Sequence, residues 1–441
     1  MHRSRFRTLA VLWTWLAFAG GALAQGLPRG DAKGLGLVPE KLDRIGQLLQ
    51  EAVAARQIAG GSALVVRKGQ VAYMTAVGAQ DVEGNVPLRA ETIFRIASMT
   101  KPITSVAAMM LVDEGKLRVS DPVSKYIPEF KNQTVLVVNT GDNKDAVPYT
   151  LVPAEREITV HHLLTHTSGI SYGLFGRPHL GELYTKAGVS DGLVETPGTM
   201  ADNCRRLAMA PLMHQPGVAW EYGLNTDVLG RVVEAASGQT LDEFFHQRIF
   251  TPLQMVDTDF IVPAEKRSRL AALYAPQEDK TIRRVPNEPQ RIGPVVYSAT
   301  YSTQDGSRYF SGGAGLCSTI GDYARFLQML AGGGELDGVR LLKPETVAQM
   351  TSHQIGDMKL PQSNRGDGFG YGFAVITGRE GPPPPASPAI GSYSWGGMFY
   401  TFFWVDPQRQ VFGILMTQIY PSTHLTLREE FRQRTYEALA E

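Results

Sequence analysis

The stretch Phe94-Arg95-Ile96-Ala97-Ser98-Met99-Thr100-Lys101-Pro102 organises the chain, because Ser98 is the only serine with a lysine three residues later. On a helix, positions i and i+3 share a face. A helix beginning near Ser98 therefore brings the Lys101 amine beside the Ser98 hydroxyl, a base beside a nucleophile. Apolar residues at Ile103, Val106, Ala107, Met110 and Leu111 recur at helical spacing until Gly115, which predicts a buried helix. Pro102 fits its first turn, where few backbone donors have partners. A serine hydroxyl needs a neighbouring base to attack at neutral pH, and a desolvated lysine loses its proton more readily than a solvated one. The helix N-terminus also favours negative charge developing on the serine oxygen. A bare S-x-x-K reads equally as an N-cap followed by a solvated lysine, so the rest of the chain has to decide.

The two ends of the chain carry similar patterns. Leu42, Ile45, Leu48, Leu49 and Val53 mark an amphipathic helix between Val38 and Arg56, and the runs Ala63 to Val66 and Val71 to Val77 form a hairpin around Arg67-Lys68-Gly69-Gln70. Near the other end, Phe399 to Val405 and Val411 to Ile419 read as a hairpin turning at Asp406-Pro407-Gln408, followed by a helix over Arg428 to Ala440. Ile320 to Leu330 and Pro344 to Met350 read as helices before it. The fold class predicted is α/β (α+β): an antiparallel sheet built from both chain ends and flanked by helices, with a mostly helical region inserted. The sheet part spans about residues 25–118 and 300–441, and the helical part about 119–299.

Inside the insertion, Val135 to Val138 and Tyr149 to Val152 suggest a small hairpin around a polar turn over Asn139 to Asp145, and Thr159 suggests an N-cap for a short helix containing Val160, Leu163 and Leu164. A glycine-rich loop is expected from Gly169 to about Gly198, with helices at Met200 to Met209, Thr226 to Ser237 and Leu241 to Phe250. Pro276 to Gly312 is polar and proline-punctuated, and reads as a long surface excursion without helix or strand. Pro382 to Pro385 reads as a rigid surface loop.

At the N-terminus, Arg3, Arg5 and Arg7 precede an apolar run from Leu9 to Ala19 and the small residues Ala22-Leu23-Ala24. That is the pattern of a secretory signal peptide over residues 1–24, giving a mature domain over 25–441 that is expected to be exported, periplasmic or secreted. No other stretch approaches the roughly 20 apolar residues of a membrane span. The 43 basic and 43 acidic residues balance to zero net charge, which argues against nucleic acid or an anionic surface as partner. Cys204 and Cys317 are the only cysteines. Export permits a disulfide between them, but two distant cysteines in apolar surroundings read rather as buried thiols. Neither C-x-x-C nor H-E-x-x-H occurs, so no metal and no organic cofactor is expected. His161, His162 and His166 read as helix-end residues hydrogen-bonded to backbone.

Two further segments carry chemistry. Tyr222, in Pro216-Gly217-Val218-Ala219-Trp220-Glu221-Tyr222, precedes a helix, where a phenol can relay protons beside a serine and lysine. The bland reading is a packing tyrosine. Ser394-Trp395-Gly396-Gly397-Met398 reads as glycines entering a strand, where a ligand can approach the backbone and an N–H can form half of an oxyanion hole; the bland reading is a bend with a packed indole. A competing nucleophile is Ser171 in Gly169-Ile170-Ser171-Tyr172-Gly173, which matches G-x-S-x-G. That motif needs a strand before and a helix after it, and here a short helix precedes and a loop follows, so the match is read as coincidental.

Ser98-Met99-Thr100-Lys101, Tyr222 and Trp395-Gly396-Gly397 follow the order and rough spacing of the serine β-lactamase and penicillin-binding-protein superfamily, and the chain most resembles the family VIII carboxylesterases, which are similar to class C β-lactamases. Asp121-Pro122, His162 to Gly169, Asp227-Val228-Leu229-Gly230 and Gly312-Gly313-Ala314-Gly315-Leu316 are also family-like, so the resemblance covers nearly all of the mature chain. The resemblance implies Ser98 as acylated nucleophile, Lys101 and Tyr222 sharing base and acid roles, the N–H groups of Ser98 and Met398 as oxyanion hole, and Trp395, Gly396 and Gly397 in substrate binding. Where β-lactamases carry Tyr-x-Asn this chain has Tyr222-Gly223-Leu224, with Asn225 one place late; where they carry Lys-[Thr/Ser]-Gly it has Trp395-Gly396-Gly397. Both departures argue against β-lactam recognition. The expected activity is hydrolysis of small-molecule carboxylic esters. The alternatives are a β-lactamase or D-Ala-D-Ala-type peptidase acting on amide bonds, or a silent ligand-binding protein on the same fold.

Overall fold

A computed structural model describes residues 26–440 except 140–147, 174–177, 280, 294, 362–366, 380, 382 and 385. The expected signal peptide and most of the Asn139-to-Asp145 turn lie outside the described residues. The centre is an eight-stranded sheet. Its strands are β1 (Gly60–Arg67), β2 (Gln70–Asp81), β3 (Val86–Pro87), β4 (Gly368–Phe369), β5 (Ala374–Val375), β6 (Tyr393–Gly397), β7 (Thr401–Asp406) and β8 (Val411–Met416). The spatial order is β4-β5-β6-β7-β8-β1-β2-β3, and every pairing is antiparallel. The two chain ends meet where β1 pairs β8, with Leu64 opposite Ile414.

The run Ala63-Leu64-Val65-Val66 is apolar throughout because β1 is covered on both faces. Ala63 and Val65 point to a cluster with Leu42, Ile45 and Leu49 of α1 (Pro39–Ala54), and with Trp404 and Phe431. Leu64 and Val66 point to the larger core. That core surrounds α2 (Thr100–Asp113), in which every residue from Thr100 to Leu111 is buried. A helix that is enclosed all round needs apolar or small residues on all faces, and Thr100 to Leu111 supplies them with Lys101 as the charged exception. Further helices used below are α3 (Val160–Leu164), α4 (Asn225–Ser237), α5 (Ile320–Ala331) and α6 (Leu427–Glu437). No helix among the described residues is long and apolar enough to cross a membrane.

Several expectations are corrected. The glycine-rich loop contains a helix at Pro178–Ala187, whose Leu180 and Tyr184 are buried four residues apart; Gly181 obscured that short repeat. Pro276 to Gly312 is not a bare excursion. Tyr274–Pro276 pairs Ile282–Arg284, Gln290–Ile292 pairs Val295–Tyr297, and Tyr297, Tyr301 and Tyr309 are buried. Three-residue strands are too short to show a period, while their turns dominate the composition. The helix expected over Leu241 to Phe250 is α-helical only to Phe245 and continues as a π-helix, His246–Phe250. Trp395-Gly396-Gly397 does not enter a strand but ends one, β6. Cys204 and Cys317, by contrast, are buried free thiols as expected.

Candidate active site

Ser98 sits in a 3₁₀ turn, Ala97–Met99, that runs directly into α2. The turn is held at both sides. Phe94–Arg95 pairs Cys317–Ser318, Ile96 N–H donates to Leu316 O at 3.0 Å, and Leu316 N–H donates to Thr100 Oγ1 at 3.1 Å. The buried Gln418 brackets Arg95, accepting from its N–H at 2.9 Å and donating to its carbonyl at 3.1 Å, while Tyr323 donates to Met99 O at 2.9 Å. These contacts hold Ala97 at φ +43°, a left-handed conformation that a non-glycine residue keeps only where its surroundings enforce it.

One turn on, Lys101 is buried, and its Nζ donates to Ser98 Oγ at 3.2 Å, Tyr172 OH at 3.0 Å and Gly313 O at 2.7 Å. Lys101 Nζ thus has three polar partners at hydrogen-bond distance. The same Nζ lies 4.7 Å from the Tyr222 ring centroid, within cation–π range. The structure therefore brings Ser98, Lys101 and Tyr222 together as expected and adds Tyr172, which the sequence reading missed. Tyr172 is the residue after Ser171, inside the G-x-S-x-G string whose serine alone was weighed. Burial, reinforced by Tyr222, Asp227 and Asp191, pushes the Tyr172 phenol well above its usual range, so it stays protonated near neutral pH.

Behind Lys101 lies a second missed residue, Asp227 of α4. Its Oδ1 accepts from Ser311 Oγ at 2.5 Å and from Gly313 N–H at 3.2 Å, so Gly313 bonds Asp227 through its N–H and Lys101 through its carbonyl. Burial pushes the Asp227 carboxyl up, and the Lys101 charge is the largest opposing influence. The two family-like strings Asp227-to-Gly230 and Gly312-to-Leu316 were the signal: they meet behind the lysine.

Ser171 is buried, and its Oγ donates to Glu221 Oε1 at 2.6 Å. The histidines serve the fold. His162 Nδ1 accepts from Thr159 N–H at 3.2 Å in the capping box of α3. His161 Nδ1 lies 3.1 Å from Tyr371 OH, and Asn225 Nδ2 lies 3.0 Å from His166 Nδ1; only His162 has the backbone partner expected for all three. Burial, with the Lys101 charge adding, pushes His166 well below its usual range. No group of His, Cys, Asp or Glu among the described residues is arranged to hold a metal ion. Asn225 is committed to Ser168, His166, Ile170 and Glu221, and Leu224 is fully buried, so neither forms the wall beside Tyr222. That wall is aromatic: Trp220 stacks on Tyr222 at 5.9 Å, Trp395 meets Tyr222 at 5.5 Å, and Phe369 meets Trp395 at 5.3 Å.

Trp395 and Gly397 belong to β6, where β5 pairs only as far as Ser394. The rest of that edge is not paired by β5. A Cβ on Gly397 would stand 2.2 Å from Ile96 O, so glycine is required for the strand end to reach the Ser98 turn.

The sequence profile described as Beta-lactamase matches residues 45–436. The chain belongs to the β-lactamase family. Within the wider superfamily of serine β-lactamases and penicillin-binding proteins, this β-lactamase-family chain is a serine hydrolase near the family VIII carboxylesterases. It is 33% identical over 381 residues to esterase EstB of Burkholderia gladioli, covering 85% of this chain and 89% of EstB. Its fold is similar to that of EstCE1, described as a hydrolase with promiscuous acyltransferase activity, at 27% identity and a TM-score of 0.75, covering 91% of this chain and 99% of EstCE1. The unliganded simvastatin synthase LovD of Aspergillus terreus shares the fold, at 24% identity and a TM-score of 0.71, covering 90% and 97% of the two chains.

Proposed function

We propose that this β-lactamase-family protein is an exported hydrolase of small carboxylic esters that works through an acyl-enzyme on Ser98. The observation that carries the reading is the position of the Lys101 side-chain nitrogen, 3.2 Å from Ser98 Oγ, 3.0 Å from Tyr172 OH and against the Tyr222 ring. In the proposed cycle, Oγ attacks the ester carbonyl as the Ser98 proton passes to the free amine form of Lys101, with Tyr222 beside it as the relay toward the leaving group. The N–H groups of Ser98 and Met398 receive the oxyanion. Collapse expels the alcohol, which takes the proton back through Tyr222, and water then repeats the sequence on the acyl-enzyme to release the acid. Tyr172, protonated and bonded to Lys101, holds the amine in place and keeps it within the relay. Residues 1–24 act as the signal peptide, placing the enzyme in the periplasm or outside the cell.

Small esters should be favoured over β-lactams. A lysine in the β6 motif would meet a β-lactam carboxylate as a point charge, and Trp395 cannot. The family's substrate-facing Asn is also missing, since Asn225 is fully engaged within the fold. A buried polar group left unpaired costs about 1–3 kcal/mol, so losing both contacts lowers kcat/KM for a β-lactam by roughly a hundredfold or more. A neutral ester loses neither contact and gains the apolar surface of Trp220 and Trp395, which the buried Phe369 backs. Side-by-side kinetics with p-nitrophenyl butyrate and a chromogenic cephalosporin test this. A higher kcat/KM for the cephalosporin would replace the esterase reading with the β-lactamase one, and no turnover of either would favour a silent binding protein.

A further inference from the structure

We infer that Arg428 is a positioning residue that strengthens the oxyanion hole from behind by polarising the Gly397–Met398 peptide. The inference rests on the reading of Met398 N–H as an oxyanion donor. Arg428, in the first turn of α6, is partly buried, and its Nη2 donates to Gly397 O at 2.8 Å. The guanidinium lies over the Tyr400 ring at 4.2 Å, and its Nε is buried without a hydrogen-bond partner among the described residues. Gly397 O also accepts from Tyr400 N–H at 3.1 Å. The carbonyl of Gly397 and the N–H of Met398 belong to one planar trans peptide, so they point in opposite directions. The carbonyl points toward Tyr400 and Arg428, on the β7 side. Met398 N–H therefore points away from β7, toward the edge of β6 that β5 leaves unpaired, and no protein acceptor takes it among the described residues.

A cation on the carbonyl oxygen favours the resonance form with negative oxygen and positive nitrogen, which makes the N–H of the same peptide a stronger donor. The gain is largest when the acceptor carries a full charge, as it does in the tetrahedral intermediate, so it stabilises the transition state more than bound ester. The arrangement also gives the two glycines different jobs. Gly397 lets the strand meet Ile96 O. A Cβ on Gly396 would stand 3.1 Å from Thr401 O and 3.4 Å from Arg428 Nη1, so a side chain there would lie against the guanidinium.

Arg428→Gln and Arg428→Lys in the full mature chain test the inference. Removing one oxyanion donor outright costs about 10²–10³-fold in kcat, so loss of its polarisation should cost about tenfold in kcat with KM little changed, the lysine variant lying between. Affinity for phenylboronic acid, whose Ser98 adduct carries a tetrahedral anion, should fall by a similar factor, while competitive binding of the neutral carbonyl compound butyramide changes much less. The carbonyl stretch of a ¹³C-labelled butyryl-enzyme, read by rapid-mixing infrared difference spectroscopy, should move to higher frequency in Arg428→Gln. An unchanged stretch with unchanged boronate affinity would overturn the role of Arg428, even if the variant were less stable. Guanidinium ion restoring activity to Arg428→Ala supports the role independently of how well the substituted chains fold. Failure to form any Ser98 acyl-enzyme in the unsubstituted protein would overturn the underlying catalytic reading instead.

Discussion

Ser98 and Ser171 lie in two turns that each offer a serine in a recognisable motif, and the difference between them lies in what each hydroxyl touches. Ser98 Oγ meets the buried Lys101 Nζ and stands in the 3₁₀ turn that the end of β6 approaches. Ser171 Oγ is enclosed and donates to Glu221. A carboxylate partner orients a serine as well as an amine does, but burial denies Ser171 any route to a carbonyl carbon. The motif around Ser171 nevertheless contributes to the site through its next residue, because Tyr172 reaches Lys101. Nucleophile identity is thus decided by access and by the neighbouring base together.

The largest effect that breaks this comparison is on turnover. Ser98→Ala should lower kcat by at least about 10⁴-fold, in the range found when an activated nucleophile is removed. Ser171→Ala should leave most of the activity and show its effect in stability, because Glu221 loses a buried donor worth about 1–3 kcal/mol. A fluorophosphonate label mapped by peptide sequencing reads the same question directly: label on Ser171 with Ser98 unmodified reverses the assignment.

A smaller effect sharpens the role of the two tyrosines. Lys101→Ala and Tyr222→Phe should each cost about 10³-fold in kcat/KM and the double variant little more, because members of one proton relay are not additive. Lys101→Arg should not rescue, since a guanidinium stays protonated and does not fit a point-charge site. Tyr172→Phe should cost about ten- to a hundredfold, since it removes a bond to Lys101 while leaving the lysine's contacts to Ser98 and Gly313. Strictly additive losses for Lys101 and Tyr222 would speak for independent roles.

What was legible in the sequence follows the range of the interaction. The helix carrying Lys101 has a dense apolar pattern, and the S-x-x-K spacing places both groups within one turn, so local geometry was enough. The sheet could be read because β1 and β8 are continuous apolar runs at opposite ends of the chain. The roles of Tyr172, Asp227 and Arg428 escaped because each acts across long sequence separations: Asp227 stood out only as part of a family-like string that does not name its partners, and Arg428 looks like one more charge on a polar terminal helix. The burial of Leu224 was not legible for the same reason, since adjacency to Tyr222 in sequence does not say which side of the turn faces the cleft. The Gly396-Gly397 pair was recognised as a place of close approach, but not that two different neighbours approach it from opposite faces.

The smallest effect concerns stability and separates the histidines of the Thr159 turn from the reacting groups. His162 Nδ1 accepts from Thr159 N–H, which requires the neutral imidazole, and burial together with the charges of His161 and Arg156 holds its pKa down at about 4. Unfolded, the same side chain titrates near its ordinary value of 6.5. The folded state therefore binds the proton less readily than the unfolded state, so this group's contribution is fully present above about pH 6.5 and is lost as pH falls toward about 4. The shift corresponds to no more than about 3 kcal/mol, and partial exposure of the ring reduces this to about 1–2 kcal/mol. His162→Gln keeps an acceptor at the third helical position, where glutamine serves in capping boxes, but cannot titrate. Its melting temperature should thus match that of the unsubstituted protein near pH 7.5 and exceed it by a few degrees near pH 4.5. If the two proteins lose stability in parallel across that window, the Thr159 cap does not depend on His162 being neutral.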